Sequence, residues 1–441
     1  MGIGRLRAME TGRLLRAALC AFTAAFLLGA LFAPDLRDGL RGLFRICILP
    51  AQLTRDYFLP ELGGVCAAML NAGLVGAICC ALTFLPGAVV NGGTVLGYFL
   101  TVGFCFYGMN ILNILPLMLG VAIYARIRRE PLGKHLNLFM FATAVSPLVT
   151  QVLFHYPSVT ETPRLTPMGV GLALVIGIVT GCAMPALCAH SPAFHKGYDL
   201  YNAGPAAGFL CAVLVAALYR AAGVEAPAIT AVLGTGYRAF ANAFCASAFV
   251  LCLLFGLLLN GGFGGYGALL RDSGYRSDFT AKYGAGPCLI NLGVYGLCIL
   301  LYYNLIGATF TGATMGAVFC MVCCACAGAT PRNVLPVALG YAVMGLLNRA
   351  GVTAFALNSQ AMVVGLCFAS GLAPIAGEFG VVPGIVAGML HYVLVTAVPA
   401  IHGGFNLYNG GFTAGIVCFV LVPLLETIRP GGHRGKQENQ S

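Results

Sequence analysis

The amino-acid sequence predicts an all-α integral membrane protein with about 12–14 transmembrane segments in two homologous halves. Of its 441 residues 59% are hydrophobic and only 9% are charged, whereas about 25% of the residues in a soluble domain are charged. Apolar stretches of about 20 residues recur along the chain, and each is long enough to cross a hydrocarbon core about 30 Å thick. Polar motifs of the first half also recur in the same order in the second. These observations exclude a soluble fold and make the lipid bilayer the expected partner.

The charge balance agrees with a membrane location. The chain carries 24 Lys and Arg against 14 Asp and Glu, for a net charge of +10. In a multi-pass protein such a surplus is expected in cytoplasmic loops, so we predict no nucleic-acid partner. Most of the 19 cysteines stand inside apolar runs, where a thiol behaves as a small hydrophobic group. No disulfide framework is predicted.

Three sequence blocks of the first half recur in the second. They share Asn, Gly and Pro at matching positions in apolar surroundings. The pairs are 69–76 with 289–296, 113–116 with 333–336, and 200–204 with 407–411. The spacing is 220 residues for the first two pairs and 207 for the third, so we expect an insertion in the first half, near 156–166. Collinear matches of this kind indicate an internal duplication.

The duplication divides the chain into repeat 1 at 1–220 and repeat 2 at 221–428, followed by a disordered basic cytoplasmic tail at 429–441. Each repeat is predicted to contain about seven hydrophobic segments. In repeat 1 they lie near 14–33, 62–85, 89–107, 112–127, 136–156, 168–188 and 203–219. In repeat 2 they lie near 239–259, 286–306, 311–328, 333–347, 355–375, 379–400 and 410–425. Amphipathic stretches at 37–60 and 265–282 are placed at the membrane interface.

The basic residues indicate how the repeats are oriented. With a cytoplasmic N-terminus, four crossings return the basic cluster at 126–134 to the inside, as the positive-inside rule requires. Seven crossings put the midpoint outside, so repeat 2 is inverted and the C-terminal tail ends inside. The arginines of 37–55 would then face outside, against the rule. Inverted repeats are therefore the predicted arrangement, and parallel repeats with one re-entrant segment each are the alternative.

The third and fourth segments of both repeats contain polar residues and helix breakers. Within membranes, broken helices occur only where they are buried in protein or line a watery cavity, and interrupted segments at matching places in two repeats indicate a transport site. We expect half-helices or re-entrant hairpins whose amides bind a small polar or anionic solute. The alternative is that Gly and Pro are simply frequent in membrane helices. The candidate residues are Asn91, Thr94 and Asn113 in repeat 1, and Thr311, Thr314 and Asn333 in repeat 2.

A polar octad opens the last segment of each repeat, at His195–Asn202 and His402–Asn409. Its side chains bring donors and acceptors to a helix start, where backbone amides lack partners. The simpler interpretation is helix capping by asparagine. Because a whole polar octad recurs in an apolar chain, we expect both copies to border one central pathway. The candidate residues are His195, Asp199, Tyr201 and Asn202, with His402, Asn406, Tyr408 and Asn409.

One position of the octad is charged in only one copy, since Asp199 corresponds to Asn406. An ionisable residue within a membrane protein is a functional hypothesis, and Asp199 would be able to carry a proton or cation. The alternative is a solvated carboxylate beside Lys196. Asn71 and Asn291, each followed by glycines in Asn-x-Gly-x-x-Gly, are predicted to mark close helix contacts.

No enzyme or metal signature stands out. The cysteine-rich run 320–326 has the spacing of zinc ligands, but it falls in a predicted membrane segment and its counterpart, 100–106, contains only Cys105. Phosphate-binding loops, His-Glu-x-x-His and Gly-x-Ser-x-Gly do not occur. We therefore assign no cofactor, no metal and no catalytic residue, and an enzyme is the less favoured class.

At 329–336 and 404–412 the sequence resembles a bacterial tandem-repeat membrane family, domain-of-unknown-function family 1576. The resemblance implies a multi-pass protein of the bacterial inner membrane and supplies no substrate. From the residues we predict a small-solute transporter or channel with its pathway between the repeats. The alternative is a membrane-embedded enzyme or sensor acting on a lipid, with His195, Asp199 and His402 at the interface. Oligomer formation is left open.

Overall fold

The computed structural model describes residues 3–53, 55–157, 162–228 and 236–428, and these parts are helical, with no strand among them. The predicted tail at 429–441 lies outside the described residues. The helices of the first half are α1 Ile3–Leu31, α2 Gly39–Ile48, α3 Val65–Leu82, α4 Gly92–Phe104, α5 Leu115–Ile127, α6 Leu136–Phe141, α7 Ser146–Phe154, α8 Pro167–His195 and α9 Ala203–Val215.

The second half repeats this order of helices. It contains α10 Arg238–Asn260, α11 Tyr266–Arg271, α12 Phe279–Tyr283, α13 Ala285–Leu305, α14 Gly312–Val322, α15 Pro331–Arg349, α16 Gln360–Ala369, α17 Ala373–Phe379, α18 Val381–Val395, α19 Pro399–His402 and α20 Asn409–Ile428. Within the described residues nine helical stretches are long and apolar enough to cross a membrane, and four shorter apolar helices accompany them. Large apolar side chains such as Leu258 and Leu305 face outward, as a lipid-facing surface requires. The predicted multi-pass membrane protein is confirmed.

Each repeat begins with two antiparallel helices in close contact. In repeat 1 Gly73 of α3 lies against Leu27 of α1, and in repeat 2 Gly293 of α13 lies against Leu253 of α10. These glycines belong to the predicted Asn-x-Gly-x-x-Gly motifs. A Cβ atom at either position would overlap the neighbouring helix, so the missing side chain is what permits the contact.

Equivalent helices of the two repeats meet in antiparallel pairs at the centre. Gly103 of α4 lies against the carbonyl of Gly316 in α14, while Gly92 at the start of α4 lies against Cys326 beyond the end of α14. Gly204 of α9 lies against Gly411 of α20. The helices α9 and α20 thus touch through their first turns. The antiparallel pairing of α4 with α14 is the geometry of inverted repeats.

The two ends of the molecule can be defined by contacts of the chain. At the N-terminal face, Arg16 of α1 donates to the carbonyl of Thr83, which follows α3, at 2.8 Å. At the midpoint face, Tyr156 after α7 donates to Leu218, just beyond α9, at 3.0 Å. The chain therefore passes from repeat 1 to repeat 2 on the face opposite the start of α1.

The fifth segment of each repeat is interrupted, which the sequence did not predict. Short 3-10 turns at Ala142–Val145 and Ser370–Leu372 separate α6 from α7 and α16 from α17. Each turn is followed by a proline in the first helical turn, Pro147 or Pro374, and proline cannot donate the amide that would continue the preceding helix.

The fourth segments were predicted near 112–127 and 333–347. In the structure α5 has 13 residues and α15 has 19, with Pro336 inside the helix, so α15 is longer than its predicted segment. The extra length of repeat 1 lies where expected: 155–166 connects α7 to α8, whereas Gly380 alone connects α17 to α18.

Candidate functional site

The starts of α4 and α14 are capped from both repeats. Asn91 and Thr94 form a capping box before α4, and Thr311 and Thr314 form one before α14. These side chains satisfy first-turn amides that would otherwise lack partners. The four candidates are thus brought together in pairs, at opposite ends of the molecule, and their proposed contact with a solute stays a prediction.

A second cap at each of these helix starts comes from the other repeat. The N–H of Gly92 donates to Oγ1 of Thr280 at 3.1 Å, and the N–H of Gly312 donates to Oδ1 of Asp56 at 2.7 Å. Burial raises the pKa of the Asp56 carboxyl to about 6, although its hydrogen bonds from backbone N–H groups oppose the rise. The interfacial stretch of each repeat therefore holds the short helix of its partner repeat in place.

Buried asparagines hold the chain where the short helices end. Nδ2 of Asn71 donates to the carbonyls of Cys105 and Met109 at 2.9 and 2.8 Å. Nδ2 of Asn291 makes the equivalent bonds after α14, both at 2.8 Å. The candidates Asn113 and Asn333 close the following turns by donating to the carbonyl five residues earlier, at 3.0 and 2.8 Å. These amides therefore satisfy backbone groups that the ends of the helices expose.

The two polar octads fold into the same closed turn. We name residues 195–202 turn 1 and residues 402–409 turn 2. In turn 1 the Nε2 atom of His195 is 2.9 Å from Oδ1 of Asn202, and in turn 2 the corresponding distance, from His402 to Asn409, is 3.0 Å. Each asparagine also donates to a carbonyl of the preceding helical segment. The histidine rings are enclosed and bonded within their own turns.

Each turn packs into the interrupted helix of the opposite repeat. The N–H of Leu200 in turn 1 donates to the carbonyl of Gly371 at 3.0 Å, and the N–H of Leu407 in turn 2 donates to Ala144 at 2.9 Å. Gly371 and Ala144 belong to the 3-10 turns that interrupt the fifth segments. The breaks in these helices thus provide the backbone acceptors for the polar turns.

Four aromatic rings form a continuous chain from turn 1 to turn 2. The ring centroids of Tyr201 and Phe368 are 5.2 Å apart, those of Phe368 and Phe104 are 5.7 Å apart, and those of Phe104 and Tyr408 are 5.4 Å apart. All four side chains are buried. Sequence reasoning identified the tyrosines but not Phe104 or Phe368, because a phenylalanine in an apolar segment has no distinguishing pattern.

The hydroxyl groups of Tyr201 and Tyr408 differ in their hydrogen bonding. The hydroxyl of Tyr201 donates to the carbonyl of Cys320 at 2.8 Å and lies 3.1 Å from both the Cys367 carbonyl and Oγ of Ser370. These partners belong to repeat 2. The hydroxyl of Tyr408 has no partner among the described residues. The hydroxyl of Tyr201 therefore joins turn 1 to the opposite repeat by hydrogen bonds.

This difference yields a prediction with an internal control. Tyr201→Phe is expected to lower the free energy of unfolding by about 1 kcal/mol, because a net hydrogen bond is lost between the repeats. Tyr408→Phe is expected to be neutral or stabilising, since it removes a buried hydroxyl without a partner. Unfolding in mixed micelles with increasing SDS would measure both changes. Equal losses in the two variants would contradict the assignment.

Two open cavities approach the centre from opposite faces, and each is bordered by one turn. The N-terminal cavity is about 490 Å³ and its lining includes residues of turn 1, the 276–278 loop and Phe141. The midpoint cavity is about 400 Å³ and its lining includes Asn409 of turn 2, Gln360 and Phe368. Each turn thus borders its own cavity, and the ring of Phe368 in the lining of the midpoint cavity contacts Tyr201 of turn 1. The one central pathway that the sequence predicted between the turns stays a prediction.

The residues Asp199 and Asn406 occupy equivalent places in the two turns. Oδ1 of Asp199 accepts the N–H of Tyr201 at 2.8 Å, and Oδ1 of Asn406 accepts the N–H of Tyr408 at 3.0 Å. The second polar atom of each side chain, Oδ2 or Nδ2, is buried with no hydrogen-bond partner among the described residues. In the turn between its two spans, burial raises the pKa of the Asp199 carboxyl to about 8, partly offset by the Tyr201 N–H.

The cysteine-rich run lies at the end of α14 and in the 3-10 turn after it, with its four thiols buried. Across the part of the chain that the structure describes, there is no group of three His, Cys, Asp or Glu side chains able to hold a metal ion.

Taken together, the fold and the site define a multi-pass membrane protein made of two interlocked, antiparallel repeats with a cavity at each end. A family model described as "Protein of unknown function (DUF1576)" matches residues 37–220 and 258–427, one match in each repeat. The chain belongs to this family and carries its domain in tandem. No curated protein and no solved structure matches the chain.

Proposed function

We propose that this protein is a small-solute transporter or channel whose pathway runs between the two repeats. The observation that carries the proposal is the pair of cavities, one bordered by turn 1 and the other by turn 2 and Phe368. The contact between Phe368 and Tyr201 of turn 1 is the proposed wall between them. Small-molecule sites are typically concave and mostly apolar, with a few convergent polar groups. Both cavities have this character, with Asn202 and Asp199 at one and Asn409 and Gln360 at the other.

The interlocked repeats supply a means of moving the wall. Turn 1 of repeat 1 rests on repeat 2, and turn 2 of repeat 2 rests on repeat 1, so a shift of one repeat against the other moves both turns. Rocking of one repeat against the other is how inverted-repeat transporters expose a central site to each side in turn. The chain carries no nucleotide-binding signature, so passage would be passive or coupled to an ion.

The expected solute is small and polar. Turn side chains offer amide donors and acceptors to both cavities, and the N-terminal cavity is also lined by the charged side chains Arg276 and Asp278, which favours a polar solute. We place the protein in the bacterial inner membrane, with the N-terminal face and both termini cytoplasmic, following the basic clusters of the sequence.

Flux measurements on the purified protein in liposomes would test the pathway. We expect a panel of small polar solutes to include at least one that enters faster than into protein-free vesicles. Ala361→Trp, in the wall of the midpoint cavity, and Ala327→Trp, in the wall of the N-terminal cavity, are each expected to reduce that flux by about tenfold, the effect of raising the barrier by about 1.4 kcal/mol.

Ala24→Trp is the matched control, because Ala24 is exposed on the outer surface of α1 and lines neither cavity. Its flux should equal that of the unmodified protein. A uniform loss of flux in all three variants, or no solute moving at all, would remove the support for a pathway between the repeats.

A further inference from the structure

The two turns share one backbone path but differ in what they can bind. Asn406 always offers one acceptor, Oδ1, and one donor, Nδ2. Asp199 offers two acceptors when ionised, but one acceptor and one O–H donor when protonated. Since Oδ1 makes the same backbone bond in both turns, the protonated carboxyl is the form of Asp199 that matches its counterpart.

The surroundings of Asp199 also favour the protonated form. The residue is 3% exposed, and among the described residues no cation forms an ion pair with it. A buried carboxylate that lacks a cation or a full set of hydrogen bonds is strongly disfavoured. Within the described parts of the chain its Oδ2 atom has no donor to accept from, so ionisation would leave the charge uncompensated.

Other titratable and charged groups lie around this carboxyl on every neighbouring element. They are His195, Lys196 and Tyr198 in turn 1, Tyr275, Arg276 and Asp278 in the loop before α12, Glu378 on α17, and Cys418 and Glu426 on α20. The nearest cations are engaged elsewhere: Lys196 pairs with Glu426 at 2.5 Å, and Arg276 donates to the Lys196 carbonyl at 3.5 Å. Both positive charges thus have partners other than the Asp199 carboxyl.

Turn 1 is positioned to respond to the charge state of its carboxyl. Asp199 lines the N-terminal cavity, while its neighbours Leu200 and Tyr201 attach the turn to repeat 2. An ionised carboxyl regains hydration only if it moves toward the water of that cavity. Such a movement would pull against both attachments and loosen the turn.

We propose that Asp199 is a proton-binding site that controls the N-terminal cavity: one proton on Oδ2 keeps turn 1 closed on repeat 2, and its release to water in that cavity opens the turn. The midpoint cavity has no such control, because Asn406 cannot ionise. The inference deepens the proposed function, since it makes access from one face, and not the other, dependent on pH.

Two native cysteines provide matched reporters for a test. Cys418 on α20 lies near Asp199, and Cys211 on α9 holds the equivalent place beside turn 2, where its thiol contacts the His402 carbonyl at 3.8 Å. Both are buried. The full-length protein in liposomes would be treated with N-ethylmaleimide at several pH values, and the labelling rate at each cysteine measured by mass spectrometry.

The ratio of the Cys418 rate to the Cys211 rate cancels the common effect of pH on thiol reactivity. In the unmodified protein this ratio should rise with pH, by up to about tenfold per pH unit, the limit for release of one proton. Asp199→Asn, which copies the residue of turn 2, should make the ratio independent of pH. Asn406→Asp should add the same pH dependence at Cys211.

A ratio that does not change with pH in the unmodified protein would overturn the proposal, and so would a pH dependence that persists in Asp199→Asn. Because labelling requires no solute, this outcome is separate from the flux measurement. Absence of solute flux with an intact labelling response would count against transport alone. Solute flux with a labelling ratio that does not depend on pH would count against the proton site alone.

Discussion

Phe368→Ala is expected to raise solute flux through the reconstituted protein by about tenfold or more. Phe368 lines the midpoint cavity, and its ring touches Tyr201 of the turn that borders the other cavity. Removing the ring takes away the middle of the wall between them. A tenfold increase in flux corresponds to lowering the free-energy barrier to solute passage by about 1.4 kcal/mol.

A control variant is needed because truncating a buried phenylalanine by itself costs about 3–5 kcal/mol of stability. It must distinguish an opened pathway from a general loss of stability. Phe249→Ala removes a ring of the same size from the contact between α10 and α13, where Gly296 packs against it. Phe249 is fully buried and lines neither cavity. The same increase in flux in both variants would contradict the role of Phe368 as the wall.

Asn291→Leu is expected to cause a large loss of stability. The substitution keeps the number and branching of the side-chain heavy atoms but removes both N–H donors, so the carbonyls of Ala325 and Ala329 lose their partners at a dry position. Each orphaned buried acceptor costs about 1–3 kcal/mol, so the free energy of unfolding should fall by about 2 kcal/mol or more. Asn71→Leu should behave alike in repeat 1.

Asn260→Leu is the comparison for this prediction. Asn260 also donates to two carbonyls, those of Gly262 and Gly264, at 2.8 and 2.7 Å, but it is the partly exposed last residue of α10. Water can replace the amide there, so the loss should stay below about 1 kcal/mol. SDS titration of the three variants in micelles would measure the difference. A cost for Asn291→Leu no larger than for Asn260→Leu would show that the buried amide is not a structural clamp.

Local sequence patterns were sufficient for the order of the helices. Asn91, Thr94, Thr311 and Thr314 were predicted as solute-binding residues of interrupted segments, and in the structure they form capping boxes. The capping considered for Asn202 is not found, since its side chain makes no bond to the first turn of α9. Asn71 and Asn291 were predicted at close helix contacts, and the glycines beside them make those contacts. Such features depend on residues three to eight positions apart, a range over which a single sequence is informative.

Patterns in the sequence did not identify the breaks at 142–145 and 370–372 or the unequal lengths of α5 and α15. A proline ends one helix and only kinks another. The outcome depends on which groups form hydrogen bonds with the backbone carbonyls that the proline leaves without a partner. At Ala144 and Gly371 the acceptor groups are used by turns that lie far away in the chain. No local signal marks those partners.

The sequence alone determined that this is a membrane protein, that it is duplicated, and that its polar octads form equivalent turns. Apolar length and composition act segment by segment, because the bilayer solvates each helix independently. Only the tertiary structure decided that each turn rests on the opposite repeat, that each turn borders a cavity, and that Phe368 contacts Tyr201 of turn 1. These features arise from packing between residues more than 160 positions apart, where shape and backbone hydrogen bonding, not hydrophobicity, select the neighbour.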